Sequence, residues 1–239
     1  TQLGHVLLDR QGVVALRARI VGDTSWGAPD LLARAGRLAP ARQRAEADLR
    51  RFAIGRAWRG SLKRLFTRRL PAGTAYLNTG HANLTDEVAD AVRAVEGGRM
   101  TVLIHDVIPL DHPEYQRVGQ PQRFEAFLRR VGRTADGIVY NSAFSQDRAE
   151  AYLARWGRVP PAIVAHLGVE TLIPDPGALP DDVPPKRPFF VALGTIEPRK
   201  NHTLLLDVWK ALSDELDAAD IPGLVIAGSR GWRNEEVFA

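Results

Sequence analysis

The chain has 239 residues, a length that suits one large or two modest domains. Its composition, 45% apolar and 25% charged, is ordinary for a soluble globular protein, and its formal net charge is only +4. Because the excess of basic residues is this small, a nucleic-acid partner is disfavoured. There is no cysteine, which excludes disulfides and cysteine-bound metals. With no apolar run of about 18 residues and no signal peptide, we expect a cytoplasmic protein.

Residues 1–170 are expected to form a first α/β domain. Its opening, Gly4–Ile20, is interpreted as a β-hairpin with strands at residues 5–9 and from Val13 onward. From Thr74, short apolar runs alternate with amphipathic helical patterns, which predicts a parallel sheet with helices on both faces. The predicted strands are residues 74–77, 100–104, 137–140 and 162–165, and the predicted helices are residues 84–95, 122–131 and one that is capped by Ser142 and ends near Trp156.

Residues 29–70 are predicted to be helical and strongly basic. Between Arg34 and Arg69 there are twelve Lys or Arg residues against two acidic residues. One interpretation is an amphipathic surface that contacts an anionic membrane or a lipid-phosphate acceptor, which would place the protein peripherally at the inner membrane. The alternative is a solvated helix that covers a sheet. The apolar face of this predicted helix contains Trp58, Leu62, Leu65, Phe66 and Leu70.

Residues 171–187 contain five prolines among three aspartates. Because proline is excluded from the interiors of helices and sheets, this segment is predicted to be a linker between domains. Residues 188–239 then supply the beginning of a second domain, with a strand, a helix and another strand near residues 224–227.

The second domain opens with a strand, a turn, two cations and a helix. Residues 189–193 form an apolar run that predicts a strand buried on both faces. The chain then turns at Gly194, presents Arg199 and Lys200, and continues as a helix from about Asn201. A helix N-terminus beside two cations favours anions, because unpaired N–H groups and the positive end of the helix dipole point to one place. We therefore predict a phosphate site, with a solvated basic turn as the alternative.

Three segments carry a resemblance to a known family: Ile-His-Asp-Val-Ile-Pro-Leu-Asp-His-Pro-Glu-Tyr at 104–115, Tyr-Asn-Ser-Ala-Phe-Ser at 140–145, and Ala-Leu-Gly-Thr-Ile-Glu-Pro-Arg-Lys-Asn-His at 192–202. Together they resemble the family-4 retaining glycosyltransferases of the GT-B type, in particular the branch that builds bacterial polysaccharides. Each segment is a weak signal alone, but their order and spacing match as well. The similarity runs from roughly Tyr76 to the C-terminus.

This resemblance implies two Rossmann-like domains, with the acceptor on the N-terminal domain and the nucleotide-sugar on the C-terminal one. It implies that a sugar passes from a nucleotide-sugar donor to a saccharide or lipid-linked acceptor with retained anomeric configuration. It also implies that neither a metal nor another cofactor is required. A metal site built from His105, Asp106, Asp111 and His112 is a weaker alternative, and the sequence contains no Asp-x-Asp motif.

The resemblance also assigns roles to individual residues. His105 lies near the reacting sugar, although a histidine at a strand end is often a structural hydrogen-bonding residue, and Asp106 orients it or caps the next segment. Asn141 and Ser142 belong to the acceptor side of the cleft, with helix capping as the simpler role for Ser142. The residues assigned to the donor diphosphate are Gly194, Thr195, Arg199 and Lys200.

The sequence also departs from the family pattern. Thr195 stands where many members have an arginine, and the Glu-x7-Glu motif that handles the donor sugar and ribose is absent. The opening strand and glycine-rich loop of the acceptor domain are not in the sequence either. We therefore expect the 239 residues alone to have little transferase activity. Two other functions stay open: a non-catalytic module that binds a nucleotide or phosphate, and a GT-B-like sugar-nucleotide epimerase.

Overall fold

The structure, a computed structural model, describes residues 4–36, 38–58, 60–81, 83–169, 171, 173–175, 177, 179–180, 183 and 186–238. Short 3-10 turns lie at Pro113–Tyr115, Pro198–Lys200 and Glu235–Val237. In chain order the strands and helices are β1 Gly4–Leu8, α1 Arg10–Ile20, α2 Leu31–Ala35, α3 Pro40–Arg51, β2 Ala53–Trp58, α4 Leu62–Arg69, β3 Ala75–Asn78, α5 Asp86–Arg93, β4 Arg99–Ile104, α6 Ile108–Asp111, α7 Gln120–Thr134, β5 Gly137–Tyr140, α8 Ala143–Arg155, β6 Ala162–Val164, β7 Phe189–Leu193, α9 His202–Glu215 and β8 Gly223–Ala227.

These residues divide into two units. The first contains Thr1–Val107 and Phe124–His166, and the second contains Ile108–Arg123 and Leu167–Ala239. In the second unit, the segment from Ile108 packs on the loop after β8, where the indole N–H of Trp232 donates to the carbonyl oxygen of Tyr115 at 3.2 Å. Seven of the seventeen residues of the predicted linker at 171–187 lie outside the described residues. The domain limits predicted from the sequence stay a prediction.

A four-stranded parallel sheet forms the centre of the first unit. Its strand order is β3-β4-β5-β6, and each neighbouring pair is parallel. Helices connect consecutive strands, as in Rossmann-like folds. The predicted α/β class with a parallel sheet is therefore confirmed, and the strands begin and end within about one residue of their predicted positions.

Helix α7 shows why the connecting helices form where they do. Phe124, Phe127, Leu128 and Val131 recur at helical spacing and are all buried. The central strands contribute the other side of this core, with Val102 and Tyr140 fully buried. Burial of each such side chain stabilises the folded protein by about 1.5–3 kcal/mol. The spacing of the apolar residues therefore determines which face of the helix packs on the sheet.

The predicted hairpin at residues 4–20 is wrong after its first strand. The side chain of Asp9 accepts a hydrogen bond from the main-chain N–H of Gly12 at 2.8 Å, and α1 begins at Arg10 instead of a turn. Aspartate is a strong N-cap, and this cap outweighs the strand preference of Val13 and its neighbour. Strand β1 pairs instead with β2, antiparallel, with Gly4 opposite Trp58.

The continuous helical prediction for residues 29–70 is also wrong in part. Helices α2, α3 and α4 are present, but β2 interrupts them, so Trp58 lies on a strand and its side chain is 63% exposed. Leu62, Leu65 and Phe66, which belong to the predicted apolar face, are buried on α4. Ile54 and Gly55 weaken the helical pattern in Ala53–Trp58, and pairing with β1 makes that segment a strand.

Part of the basic segment is buried in ion pairs. Arg50 is only 5% exposed, and its guanidinium donates to Asp30 at 2.6 Å and to Glu46 at 3.3 Å. Asp48 is fully buried and accepts hydrogen bonds from Arg19 and from the main-chain N–H of Gly27. These charges therefore hold α1 and α3 together rather than facing solvent. Among the described residues, no helix has both the length and the apolar character needed to cross a membrane.

In the second unit, β7 and β8 pair in parallel and α9 connects them. These three elements form one βαβ unit of the kind found in Rossmann-like folds. Trp209 of α9 contacts the ring of Phe190 edge-on at 5.7 Å between ring centroids. The expected burial of β7 on both faces is wrong for this structure, since Phe190 is 62% exposed and Leu193 is 82% exposed. Among the described residues of this unit, β8 is the only strand beside β7, so the other edge of β7 has no pairing strand.

Candidate functional site

Polar residues gather at the carboxyl edge of the four-stranded sheet, where ligands bind in open α/β sheets. His105 follows β4 directly, and its Nε2 lies 3.0 Å from the carbonyl oxygen of Thr79, which follows β3. Because a carbonyl oxygen only accepts, Nε2 of His105 carries the proton in this contact. The geometry therefore fixes both the ring orientation and the tautomer of His105.

A serine pair fixes the main chain of the same histidine. The hydroxyl of Ser145 donates to the carbonyl oxygen of His105 at 2.9 Å. Ser142 caps α8 by accepting from the main-chain N–H of Ser145, and its hydroxyl donates to the Ser145 hydroxyl at 3.1 Å. The predicted capping role of Ser142 is confirmed. Through Ser145, the end of β5 and the end of β4 are joined.

Asn141 and Asp106 lie at the same edge. The main-chain oxygen of Asn141 accepts from Nδ1–H of His166 at 3.1 Å, while its side-chain Oδ1 is buried and has no hydrogen-bond partner in the described part of the chain. Asp106 is half-buried, and its negative charge acts on His81. The structure thus brings His105, Asp106, Asn141 and Ser142 to one edge of one sheet.

The turn after β7 is built by its backbone. Gly194 has φ +143°, a conformation that favours glycine, and its N–H donates to the carbonyl oxygen of Ala227 at 2.9 Å. A Cβ at Gly228 would collide with the carbonyl oxygen of Gly194. The parallel pairing then continues through Ile196, whose N–H donates to the carbonyl oxygen of Ser229 at 3.0 Å. Gly194 and Thr195 are therefore held in a rigid loop between the ends of two strands.

Lys200 lies over this loop. A Cβ placed on Gly194 would be 3.8 Å from Nζ of Lys200, so the ammonium group and the glycine are close neighbours. The first turn of α9 has no side-chain cap, because Asn201 adopts a left-handed conformation without capping through its side chain. A lysine beside an uncapped helix N-terminus suits an anion such as a diphosphate. We call Gly194, Thr195 and Lys200 with the start of α9 the cradle.

Arg199 is engaged differently from what the sequence predicts. Its Nη2 donates to Oε1 of Glu197 at 2.7 Å, and Glu197 is only 6% exposed. A carboxylate this close offsets much of the guanidinium charge. Lys200, which has an exposed side chain, is therefore the more available cation of the two.

A polar cavity of about 330 Å³ adjoins the N-terminus of α9. Its walls include Glu197 and His202, both nearly buried, and Nδ1 of His202 has no hydrogen-bond partner among the described residues. The exposed carboxylates of Glu235 and Glu236 form another part of its lining. Within the described ranges, no three or more His, Asp or Glu residues are grouped so that they could hold a metal ion.

Sequence reasoning missed three contributors to these sites: His81, Ser145 and Glu197. His81 accepts a hydrogen bond from the main-chain N–H of His105, Ser145 donates to the carbonyl of the same residue, and Glu197 pairs with Arg199. Only the spacing of Glu197 and Arg199, two apart in one turn, offered a signal. The other two depend on which strands are neighbours, and this is a tertiary property.

The chain is similar to bacterial glycosyltransferases. It is 29% identical over 168 residues to a serotype-specific mannosyltransferase WbdA of Escherichia coli, in a match that covers 63% of this chain and 20% of that protein. Two further Escherichia coli proteins of the same name are 29% identical over 157 residues, which is 60% of this chain and 19% and 18% of theirs. The match thus spans about a fifth of the length of these curated relatives. No protein-family model matches the chain, and no solved structure matches it.

Proposed function

We propose that the chain contributes to a glycosyltransferase that moves a mannosyl group from a nucleoside diphosphate mannose to a saccharide or lipid-linked acceptor in bacterial polysaccharide biosynthesis. The observation that carries the proposal is the similarity to three mannosyltransferases over more than half of this chain. The Rossmann-like parallel sheet and the cradle support it, because nucleotides bind at the carboxyl ends of parallel strands.

In this proposal the cradle binds the donor diphosphate. Lys200 and the N-terminus of α9 stabilise the negative charge that develops on the leaving nucleoside diphosphate. Thr195 offers a hydroxyl to a phosphate oxygen, and Arg199 acts as a secondary cation because Glu197 already holds it. The polar cavity suits the hydroxyl groups of the donor, since the carboxylates of Glu235 and Glu236 repel phosphate and accept from hydroxyls.

The carboxyl edge of the sheet supplies the groups for the reacting sugar and the acceptor. His105 presents an imidazole whose Nε2–H is held by Thr79, so Nδ1 is left as the nitrogen that can accept from a sugar hydroxyl. Asp106, Asn141 and Ser142 line the acceptor side. On the strength of the family resemblance, we propose that transfer retains the anomeric configuration and requires no metal.

The test is a titration of the purified 239-residue protein with nucleoside diphosphates and their mannose conjugates, followed by incubation with a mannose-terminated oligosaccharide. We expect diphosphate binding and only slow, acceptor-dependent addition of one hexose, because the Glu-x7-Glu pair is absent from these residues. Rapid transfer would contradict the low activity that we propose. Absence of binding by every nucleoside diphosphate would contradict the transferase itself.

The same assay separates the other two functions. Release of a free epimerised sugar without an acceptor would identify a sugar-nucleotide epimerase. Diphosphate binding without any turnover on prolonged incubation would identify a non-catalytic module. Proton NMR of the product distinguishes the two anomers, so an inverted product would contradict retention alone.

We also propose that the basic segment Arg34–Arg69 contacts an anionic membrane surface. Lys63, Arg64 and Arg68 are exposed on α4, and the Trp58 side chain is 63% exposed. Cations beside an exposed indole suit the interface of an anionic bilayer. Flotation with anionic vesicles should show binding at low salt that is lost at high salt, and neutral vesicles are the control. Equal behaviour with both vesicles would contradict the proposal.

A further inference from the structure

His81 lies against His105, between the sheet and helix α7. Its ring centroid is 5.3 Å from that of His105 and 5.1 Å from those of Phe124 and Phe127. Two phenyl rings and a second imidazole therefore surround it, and the residue is half-buried. None of the three segments that carry the family resemblance includes this residue.

The hydrogen bonds determine which nitrogen of each ring carries a proton. Nε2 of His81 lies 3.2 Å from the main-chain nitrogen of His105. Because a peptide N–H only donates, Nε2 of His81 must be the unprotonated acceptor, and the proton of the neutral ring is on Nδ1. His105 has the opposite tautomer, since its Nε2–H donates to the carbonyl oxygen of Thr79.

Three contacts fix His105 at separate points. His81 holds the main-chain N–H, Thr79 holds the ring, and Ser145 holds the carbonyl oxygen. Hydrogen bonds to the main-chain N–H, the main-chain carbonyl oxygen and Nε2 hold the side chain in one orientation and leave Nδ1 available. Burial holds the pKa of His81 below its ordinary value, with the negative charge of Asp106 opposing and His105 reinforcing this shift. His81 therefore stays neutral, as an acceptor must.

We propose that His81 is a positioning residue for His105: as a neutral acceptor it fixes the His105 main chain, so that His105 presents Nδ1 as a hydrogen-bond acceptor to a substrate hydroxyl. The part of this inference that concerns the substrate rests on the proposed function. The part that concerns the tautomers and the main-chain contact does not.

Two variants separate the hydrogen bond from the packing. His81→Phe keeps an aromatic ring against Phe124 and Phe127 but removes the acceptor. His81→Gln supplies an amide oxygen as acceptor but removes the ring. Because the bond to the His105 amide is lost only in the first variant, that amide should exchange with solvent roughly three- to tenfold faster in His81→Phe, and close to the wild-type rate in His81→Gln. The buried amide of Leu128 reports whether each variant stays folded.

Nitrogen-15 NMR of the histidine rings in the wild-type protein is the second measurement, and it needs no variant. We expect the proton on Nδ1 in His81 and on Nε2 in His105 near neutral pH. A His105 ring protonated on Nδ1, a His81 ring protonated on Nε2, or an unchanged His105 amide rate in a folded His81→Phe protein would each overturn the proposal. If His81→Phe does not fold, the wild-type tautomers and the His81→Gln rate decide.

A functional readout tests the remaining part. In the acceptor-dependent transfer assay, His81→Phe should lower kcat more than it raises KM for the donor, and His81→Gln should recover most of the loss. Equal kcat in the two variants would overturn the substrate part. Nucleoside diphosphate binding at the cradle is measured separately, so loss of that binding indicates failure of the proposed function and not of the His81 contact.

Discussion

The carboxyl edge of the four-stranded sheet and the cradle place their functional groups by different means. At the sheet edge, His105 is held by two side chains and one carbonyl from two other segments: Thr79 and His81 in the loop after β3, and Ser145 in α8. In the cradle, the shape comes from the backbone around Gly194, and the cation of Lys200 lies exposed above it.

This difference has a physical consequence. Groups that are fixed by buried hydrogen bonds contribute to stability as well as to function, since loss of one partner leaves the other unsatisfied. An exposed lysine contributes little to stability, because its charge is solvated in the unfolded chain as well. Substitutions at the sheet edge should therefore affect folding and function together, and substitutions of the cradle cation should affect binding alone.

The largest effect should come from the backbone of the cradle. Gly228→Ala places a Cβ against the carbonyl oxygen of Gly194, so the turn must open and we expect a loss of about 3 kcal/mol in the free energy of unfolding of the second unit. Diphosphate binding should be lost with it. Denaturant titration and calorimetry of binding measure the two effects. Gly168→Ala is the matched control, since nothing lies within 4 Å of that position. A stable Gly228→Ala protein that still binds would show that the loop is adaptable.

Lys200→Ala should weaken nucleoside diphosphate binding by about 1.5–3 kcal/mol, the usual loss for a hydrogen bond to a charged group. Its free energy of unfolding should change by less than about 0.5 kcal/mol, because the side chain is exposed. Lys210→Ala is the control: it removes an exposed lysine that lies on α9, and it should leave binding unchanged. Unchanged affinity in Lys200→Ala would remove the cradle from the proposed function, and a large loss of stability would contradict the contrast between the two regions.

Ser145→Ala tests the expectation that a substitution at the sheet edge, unlike Lys200→Ala, lowers stability. The variant leaves the carbonyl oxygen of His105 without its donor, which should lower the free energy of unfolding of the first unit by about 1–2 kcal/mol. Thr67→Ala is the control, since that exposed hydroxyl bonds only within its own helix. Hydrogen exchange of core amides in the first unit measures both. If the two variants are equally stable, the serine pair has no structural role.

The sequence predicted the parallel sheet because local signals there agree with one another. Ser142 caps α8 as expected, and the apolar runs of β4 and β5 coincide with the strands. The signals disagreed in the region of β1 and β2. There a capping aspartate competed with Val13, and the pairing that makes residues 53–58 a strand involves a segment about fifty residues away.

The candidate site also has one part that could be predicted from the sequence and another that could not. The turn glycine and Lys200 follow one another closely in sequence, so their proximity could be predicted, and the structure brings them together. The partners of His105 come from the ends of different strands, and only the strand order makes them neighbours. The pairing of Arg199 with Glu197 shows a further limit, because a sequence pattern counts charges without showing which are already paired.

The smallest effect is one of pH and acts through His81. Its pKa is lowered in the folded protein, chiefly by burial, whereas in the unfolded chain it lies near the ordinary value of about 6.5. As pH falls through about 6.5, the unfolded chain therefore binds a proton before the folded protein does, and stability falls, by at most about 1.4 kcal/mol per pH unit. Below the folded-state pKa both states are protonated and this loss stops. At pH values well above 6.5 neither state is protonated and the group has no effect.

His81→Phe and His81→Gln both remove this titratable group, whatever their other effects on the free energy of unfolding. The free energy of unfolding of the wild-type protein should therefore fall more steeply than that of either variant as pH falls below about 6.5. Asp106 and His105, the charged neighbours of His81, remain in both variants. Curves that stay parallel from pH 7.5 to pH 5 would show that His81 is as easily protonated in the folded protein as in the unfolded chain. That result would remove the reason for its neutrality and, with it, the contrast between a half-buried acceptor at the sheet edge and an exposed cation in the cradle.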